Sequence, residues 1–306
     1  MEDYKSFVFW FVGLVGACTI LLALVTYGLF GKDLPYTEND LVRQYQIHKL
    51  TNIPDIQLLV VGDSSAGNAI DAALLSSLTG VHAENVALTG SFGIEGSTNM
   101  IRQALHAGQP VRYVLVVETL DIWHRSYPEQ GIIDTSRGLP DDPEFSFSRA
   151  TLWKYLFNPK QIQWAVNFYL HEPIPFVISN DYRKQNADTY ASGVRIVTNA
   201  GLPTEIDSTK QKAITDLGRL CLRERLICVY AHGPLHENVA LQSQATLAAV
   251  NALLARVPGL AAVPDLPTFP NQKIGDSIDH VAPAFKQEST RIYAQMLALF
   301  LKVERK

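Results

Sequence analysis

From Ser6 to Gly31 the chain carries no charged residue and is apolar at most positions, Phe7-Val8-Phe9-Trp10-Phe11 near one end and Leu21-Leu22-Ala23-Leu24-Val25 toward the other. The run exceeds the roughly 20 residues that a helix needs to span a bilayer. Residues 1–31 are therefore expected to form an uncleaved N-terminal membrane anchor, a single transmembrane helix. Val15-Gly16-Ala17-Cys18 has the shape of a lipoprotein cleavage box, yet the apolar run continues to Phe30, where a mature lipoprotein turns polar. Lys5 before the run, offset by Glu2 and Asp3, and Lys32 and Arg43 after it leave the charge bias nearly silent on orientation.

Beyond a short polar, Pro-containing connector (Asp33 to Glu38), Asn39 to Leu50 shows helical spacing, so residues 32–55 read as connector and edge helix. An alternation of apolar runs and helical patterns then begins. Strands are predicted at Ile56 to Val61, Val81 to Leu88 and Val111 to Val117, with helices from Ser64 to Leu78 and Ile94 to His106. Val111 to Val117 is almost continuously apolar, which suits a strand buried on both faces of a parallel sheet. The alternation resumes with a helix at Glu205 to Arg223, a strand at Leu226 to Ala231 and a helix at Val239 to Val257. A strand at Leu260 to Val263 and a helix at Ala284 to Val303 close the chain. Five strands alternating with helices imply an α/β, three-layer sandwich with a five-stranded parallel sheet and right-handed crossovers.

Between about residues 122 and 203 no βα unit is visible. Aromatics are dense there, Trp153, Trp164 and Phe168 among them, and Ser148 to Leu170 looks helical. A structureless loop of this length is unusual inside a compact domain, so the segment is read as a mostly helical inserted cap within a domain spanning 56–306. Its aromatics suit either sugar stacking or, by the general tendency of apolar side chains to be buried, the cap's own core.

Composition changes this picture little. A formal net charge of −4 over 306 residues gives no basic surface for nucleic acid, so no nucleic-acid partner is expected. Three cysteines are too few for a disulfide framework. Cys221 and Cys228 read as buried thiols, with a bridge between them conceivable in an oxidising compartment.

The chemistry sits after the strands, at the sheet edge where open α/β folds bind ligands. The loops there carry Gly62-Asp63-Ser64, Thr89-Gly90-Ser91 and Glu118-Thr119-Leu120-Asp121, and Gly275-Asp276-Ser277-Ile278-Asp279-His280 follows the fifth strand. Ser64, at the expected start of a helix, has two readings: a nucleophile, or an N-cap, the commoner use of serine there. A nucleophilic serine needs a base, a group orienting that base, and oxyanion donors. His280 fits the first role and Asp276, with Asp279 as the alternative, fits the second. The backbone N–H groups of Ser64 and Gly90 fit the third. Asp63 reads as a turn-fixing residue, and Asp121 as one that orients its loop. His232 and His236 have a metal-like spacing without further ligands and read as lining the cleft. His106, His124 and His171 read as surface or structural residues. No metal or cofactor is expected.

These residues resemble the blocks of the SGNH/GDSL hydrolase family. Gly62-Asp63-Ser64 after the first strand resembles the first block, whose serine is the nucleophile. Asn85-Val86-Ala87-Leu88-Thr89-Gly90 resembles the second, whose glycine donates a backbone N–H. The aspartate-and-histidine segment before the last helix resembles the final block. The resemblance covers roughly Ile56 to Gln295 without the insert, and it implies a flavodoxin-like sheet and acyl chemistry through an acyl-serine. Two positions depart from it. Leu120 stands where the third block has an asparagine that donates to the oxyanion, leaving Asn68, Asn99 or an insert side chain as substitutes. Ser277 stands three residues before His280, where the family has its aspartate.

An anchor joined to such a domain resembles the SGNH-like proteins that work beside a membrane-bound O-acyltransferase and acetylate exopolysaccharides such as alginate or cellulose. The resemblance implies an esterase or acetyltransferase in the cell inner membrane with its globular part outside the cytoplasm, and a polysaccharide as substrate. Two other functions fit the same residues. One is a catalytically degenerate glycan-binding or scaffold protein of a polysaccharide-synthesis complex. The other is a plain lipase or esterase acting near the bilayer.

Overall fold

Strand β1 (Leu58–Gly62) is buried at every position, and its side chains alternate between two separate cores. Leu59 and Val61 join one, Leu58 and Val60 the other, as the period of two in a strand requires. Strands β3 (Tyr113–Glu118) and β4 (Ile227–His232) divide in the same way, Val114 and Val116 on one side against Leu115 and Val117 on the other. Burial on both faces is why these segments are apolar without alternation. The computed structural model describes residues 2–30, 38–125, 135–136, 139 and 200–301.

The five strands, with β2 at Ala83–Asn85 and β5 at Leu260–Ala262, form one parallel sheet in the order β2-β1-β3-β4-β5. That is a doubly wound order whose switch point lies between β1 and β3. The first core also contains residues of α2 (Glu38–Asn52), α5 (Gly93–His106), α6 (Ser208–Arg223) and α8 (Gln244–Leu254). The second contains residues of α3 (Ser64–Ala69), α4 (Ala72–Thr79) and α9 (Lys286–Leu301). The α/β class and the five-stranded parallel sheet thus agree with the sequence pattern.

The differences have local causes. The helix expected from Ser64 to Leu78 is two helices, because Ile70 is extended and Asp71 caps α4 by accepting the Leu74 N–H. The helix expected at Val239 to Val257 is likewise split at Ser243 into α7 (Glu237–Gln242) and α8. The Ser243 hydroxyl donates to the Val239 carbonyl and accepts the Leu202 N–H, a side-chain bond that competes with helix continuation. Only Ala83–Asn85 of the expected Val81 to Leu88 is strand, although the Val86 and Leu88 N–H groups still donate to the Val60 and Gly62 carbonyls. The last helix begins at Lys286, after a 3-10 turn at Pro283–Phe285.

Two compact units are distinguishable, Met1–Leu41 with Glu144–Phe176, and Val42–Pro143 with Val177–Lys306. The sheet and its helices belong to the second, which takes in most of α2. Gln46 donates to the Ala87 carbonyl at 2.7 Å, and Gln109 ties down the α2 C-terminus through the Leu50 and Ile53 carbonyls. In the first unit α1 runs Glu2–Phe30. Among the described residues no helix is long and apolar enough to cross a membrane, so the expected anchor finds no support there. Most of the expected insert, with the helix at Ser148 to Leu170 and His171, lies outside the described residues.

Cys221 on α6 and Cys228 on β4 are joined in a disulfide, which corrects the reading of two thiols. Closing so short a loop is worth about 2.5 kcal/mol on the chain-entropy estimate. Cys221→Ser with Cys228→Ser is therefore expected to lower the unfolding free energy by about that amount, read as a lower urea midpoint. Reductant should bring the wild type to the same midpoint. Midpoints that stay equal with and without reductant would count against the bridge.

Candidate active site

At the C-terminal edge of β1 the chain turns at Gly62 and enters α3 through Asp63. The cap of α3 is Asp63, not Ser64. Its Oδ1 accepts the Ser65 N–H at 2.9 Å and the Ser65 hydroxyl at 2.5 Å, while Oδ2 accepts the Thr119 N–H at 3.1 Å from the end of β3. One buried carboxylate thus fastens the β1 loop to the β3 loop. The capping reading of Ser64 is overturned, and its hydroxyl is engaged elsewhere.

That engagement is with His280. The imidazole Nε2 lies 2.9 Å from Ser64 Oγ, and Nδ1 lies 2.7 Å from Asp276 Oδ1. A carboxylate only accepts, so Nδ1 carries the proton toward Asp276, and in the neutral imidazole Nε2 is left to accept from the Ser64 hydroxyl. Base, nucleophile and orienting acid form one hydrogen-bonded chain from residues 216 positions apart. The turn makes this possible. Gly275 N–H donates to the His280 carbonyl at 2.7 Å, and an antiparallel bridge pairs Ile274 with Val281. Asp276 is thereby folded back under the ring.

Asp279, the alternative partner, is buried and accepts from the Ser277 hydroxyl. Its Oδ1 stands 3.9 Å from Nε2, the side of the ring facing Ser64 rather than the Nδ1 side. Ser277 thus serves to hold Asp279. Burial pushes the Asp63 carboxyl up from its ordinary range and the Asp279 charge adds to it, while the Ser65 and Thr119 donors pull it down.

The loop after β2 reaches the same edge. Asn85 locks it to α3, donating to the Ala66 and Ile70 carbonyls and accepting the Ala87 N–H. Two residues beyond the Leu88 to Gly62 bond comes Gly90, and no acceptor among the described residues takes its N–H. Leu120 opens a 3-10 turn (Leu120–Trp123) and is fully buried in the first core with Trp123. It faces the hydrophobic interior, so this position offers no oxyanion donor from its side chain. Of the expected substitutes the two asparagines lie among the described residues, each with its amide N–H₂ already donating once. Asn68 donates to the Ser64 carbonyl, and Asn99 donates to Thr135.

His232 and His236 do not line a cleft; both are buried. Burial pushes the His232 imidazole below its ordinary pKa, and its Nε2 is 2.8 Å from Asn251 Oδ1. His236 Nδ1 accepts the Asn238 N–H. His124 and Arg125 both pair with Asp121, which fits the loop-orienting reading of that aspartate. Arg125 was not singled out from the sequence. Its one signal is the i,i+4 spacing to Asp121.

Glu118, at the end of β3, is fully buried, takes a 2.6 Å hydrogen bond from the Ser97 hydroxyl, and leaves Oε2 without a partner. Burial, followed by the Asp63 charge, raises its pKa well above the ordinary range. A group whose pKa is raised on folding contributes stability that is complete below its unfolded value and is lost as pH climbs through the folded one. Glu118→Gln keeps the shape and removes the titration. The Tm of the variant minus that of wild type is expected to grow as pH rises above about 4.3. A difference that stays flat with pH would remove Glu118 as the cause.

No family model and no curated protein matches the chain.

Proposed function

We propose that this chain is an SGNH/GDSL-like serine enzyme that moves O-acyl groups, hydrolysing an ester or passing the acyl group to a hydroxyl. The observation that carries the reading is the hydrogen-bonded sequence Ser64, His280, Asp276. Ser64 Oγ attacks the acyl carbonyl while His280 Nε2 takes its proton, and the Asp276 carboxylate steadies the resulting imidazolium. The carbonyl electrons move onto oxygen, where the Ser64 and Gly90 N–H groups receive them. On collapse, the leaving alkoxide takes the proton from His280, and the acyl group remains on Ser64. Water or a sugar hydroxyl then attacks, His280 again accepting and returning the proton.

The wider setting rests on other features. The uncharged run from Ser6 to Gly31 and the exposed Phe7, Phe9, Trp10 and Phe11 of α1 support attachment to a bilayer. The Cys221–Cys228 disulfide suits an oxidising compartment, hence a globular part outside the cytoplasm. Acetyl as the acyl group, polysaccharide as acceptor and a membrane-bound O-acyltransferase as partner follow from the family resemblance. A second reading, a glycan-binding scaffold without turnover, is favoured by the burial of Leu120.

A fluorophosphonate separates the two. Wild type is expected to gain one adduct, located on Ser64 by peptide mass spectrometry, while Ser64→Ala and His280→Ala gain none. Glycan retention without an adduct on wild type selects the scaffold.

A further inference from the structure

Leu120 supplies no side-chain donor to the oxyanion side of the site, and a cation stands beside Gly90, one of its two backbone donors. An ideal Cβ placed on Gly90 would lie 3.0 Å from Arg125 Nη1, so the guanidinium rests against the bare Cα of Gly90. Its other terminal nitrogen, Nη2, is ion-paired to Asp121 Oδ2, and Asp121 Oδ1 is 2.7 Å from His124 Nε2. Asp121 and His124 flank Ile122 and Trp123, both fully buried in the 3-10 turn after β3. The guanidinium is therefore held at one end by a carboxylate on a rigid turn, and its Nη1 end reaches the β2 loop. Its side chain keeps 44% of its surface exposed, which leaves it reachable by substrate.

We propose that Arg125 is a catalytic residue of this site, its Nη1–H donating to the acyl oxygen as negative charge develops there. The proposal rests on the acyl-transfer reading above. Three lines converge on it. The loop after β3 is fastened to the site, since Thr119 at its start is bonded to Asp63, next to Ser64. The Gly90 N–H has no acceptor among the described residues, and Nη1 sits on the same residue. Position 90 carries no side chain, and any side chain there would push the guanidinium aside. In the reaction no bond to Arg125 forms or breaks. Ser64 Oγ gains the bond to the acyl carbon, the carbonyl π pair moves to oxygen, the proton goes to His280, and Arg125 remains protonated throughout, as a guanidinium does.

The experiment uses the full chain, a fluorophosphonate and a small neutral ester, 4-nitrophenyl acetate, with Tm recorded for every protein. Losing one oxyanion donor costs about 10² to 10³ in the chemical step. Arg125→Ala is expected to lose that much in saturating acylation rate, read from the burst, with little change in half-saturating ester concentration. Arg125→Lys, retaining charge and a donor, should recover part of the loss. Gly90→Ala keeps the backbone N–H, and its methyl meets the movable tip of Arg125 and, at 4.0 Å, Ile122 Cδ1 in ordinary contact. It should hold its Tm within about 2 °C, an effect typical of surface changes, yet lose acylation rate. The double variant Gly90→Ala/Arg125→Ala should be no slower than Arg125→Ala, since both remove one interaction. Unchanged acylation by Arg125→Ala, or a loss confined to half-saturation, overturns the proposal while leaving the Ser64 mechanism standing. A wild type that forms no phosphonate adduct overturns both.

Discussion

Ser64→Ala is expected to reduce turnover of an acyl ester by about 10⁴-fold or more, and His280→Ala by a similar factor, since nucleophile and base act as one unit. The expectation comes from geometry. With the hydroxyl 2.9 Å from Nε2, the base is already within transfer distance of the proton that must leave as Oγ attacks. Removing either group removes the step that both perform, so Ser64→Ala/His280→Ala should be no slower than the worse single variant. Asp276→Asn is a different kind of change. An amide can offer its N–H₂ to Nδ1 and so favour the tautomer that turns an N–H toward Ser64, the wrong face for a base. Asp276 is 41% exposed, and water can compete for Nδ1, so its loss should be smaller than that of the other two. Initial rates with 4-nitrophenyl acetate, with Tm as a check on folding, measure all of this. A Ser64→Ala protein as active as wild type would end the acyl-serine mechanism.

The sheet was legible because burial on both faces leaves continuous apolar runs, and β1, β3 and β4 fall within a residue or two of the runs that announce them. Helix breaks were harder to read. Ile70 and Ser243 interrupt apolar periodicity that continues across them, and the cause is a cap in one case and a side-chain hydrogen bond in the other. Neither alters the hydrophobic pattern. At the site, Ser64, Gly90 and His280 were visible from their places after strands. The division of labour between Asp63 and Ser64 was not, because either side chain has the chemistry of a cap, and only the Ser65 N–H bond assigns it to Asp63. Choosing between Asp276 and Asp279 required the path of a six-residue turn. Alternation along an extended segment does not describe a stretch closed by the Gly275 to His280 bond. Arg125 escaped notice because its link to Gly90 runs between two loops joined only in space.

Gly62→Ala is expected to be the most damaging single substitution for the fold itself. Gly62 has φ 151°, a conformation that L side chains rarely adopt. An added Cβ would stand 1.7 Å from the Val117 carbonyl oxygen and 2.7 Å from its carbon. Both atoms are backbone of β3, paired in register with Gly62, so relief requires β1 and β3 to separate at the switch point. Separation would also strain the Asp63 bond to Thr119, leaving buried polar groups unpaired. A loss of about 4 kcal/mol or more is expected, in the range reserved for core strain and broken buried networks, equivalent to a fall in Tm of roughly 8–16 °C for a domain of this size. Gly90→Ala sets the contrast, since there the added methyl meets a flexible guanidinium tip and stability should hold. Thermal unfolding of the two variants side by side tests the distinction. A Gly62→Ala protein melting within about 3 °C of wild type, below about 0.8–1.5 kcal/mol on that scale, would mean that the β1–β3 pairing yields at this point. Ser64 would then be carried on a looser turn than the geometry here requires.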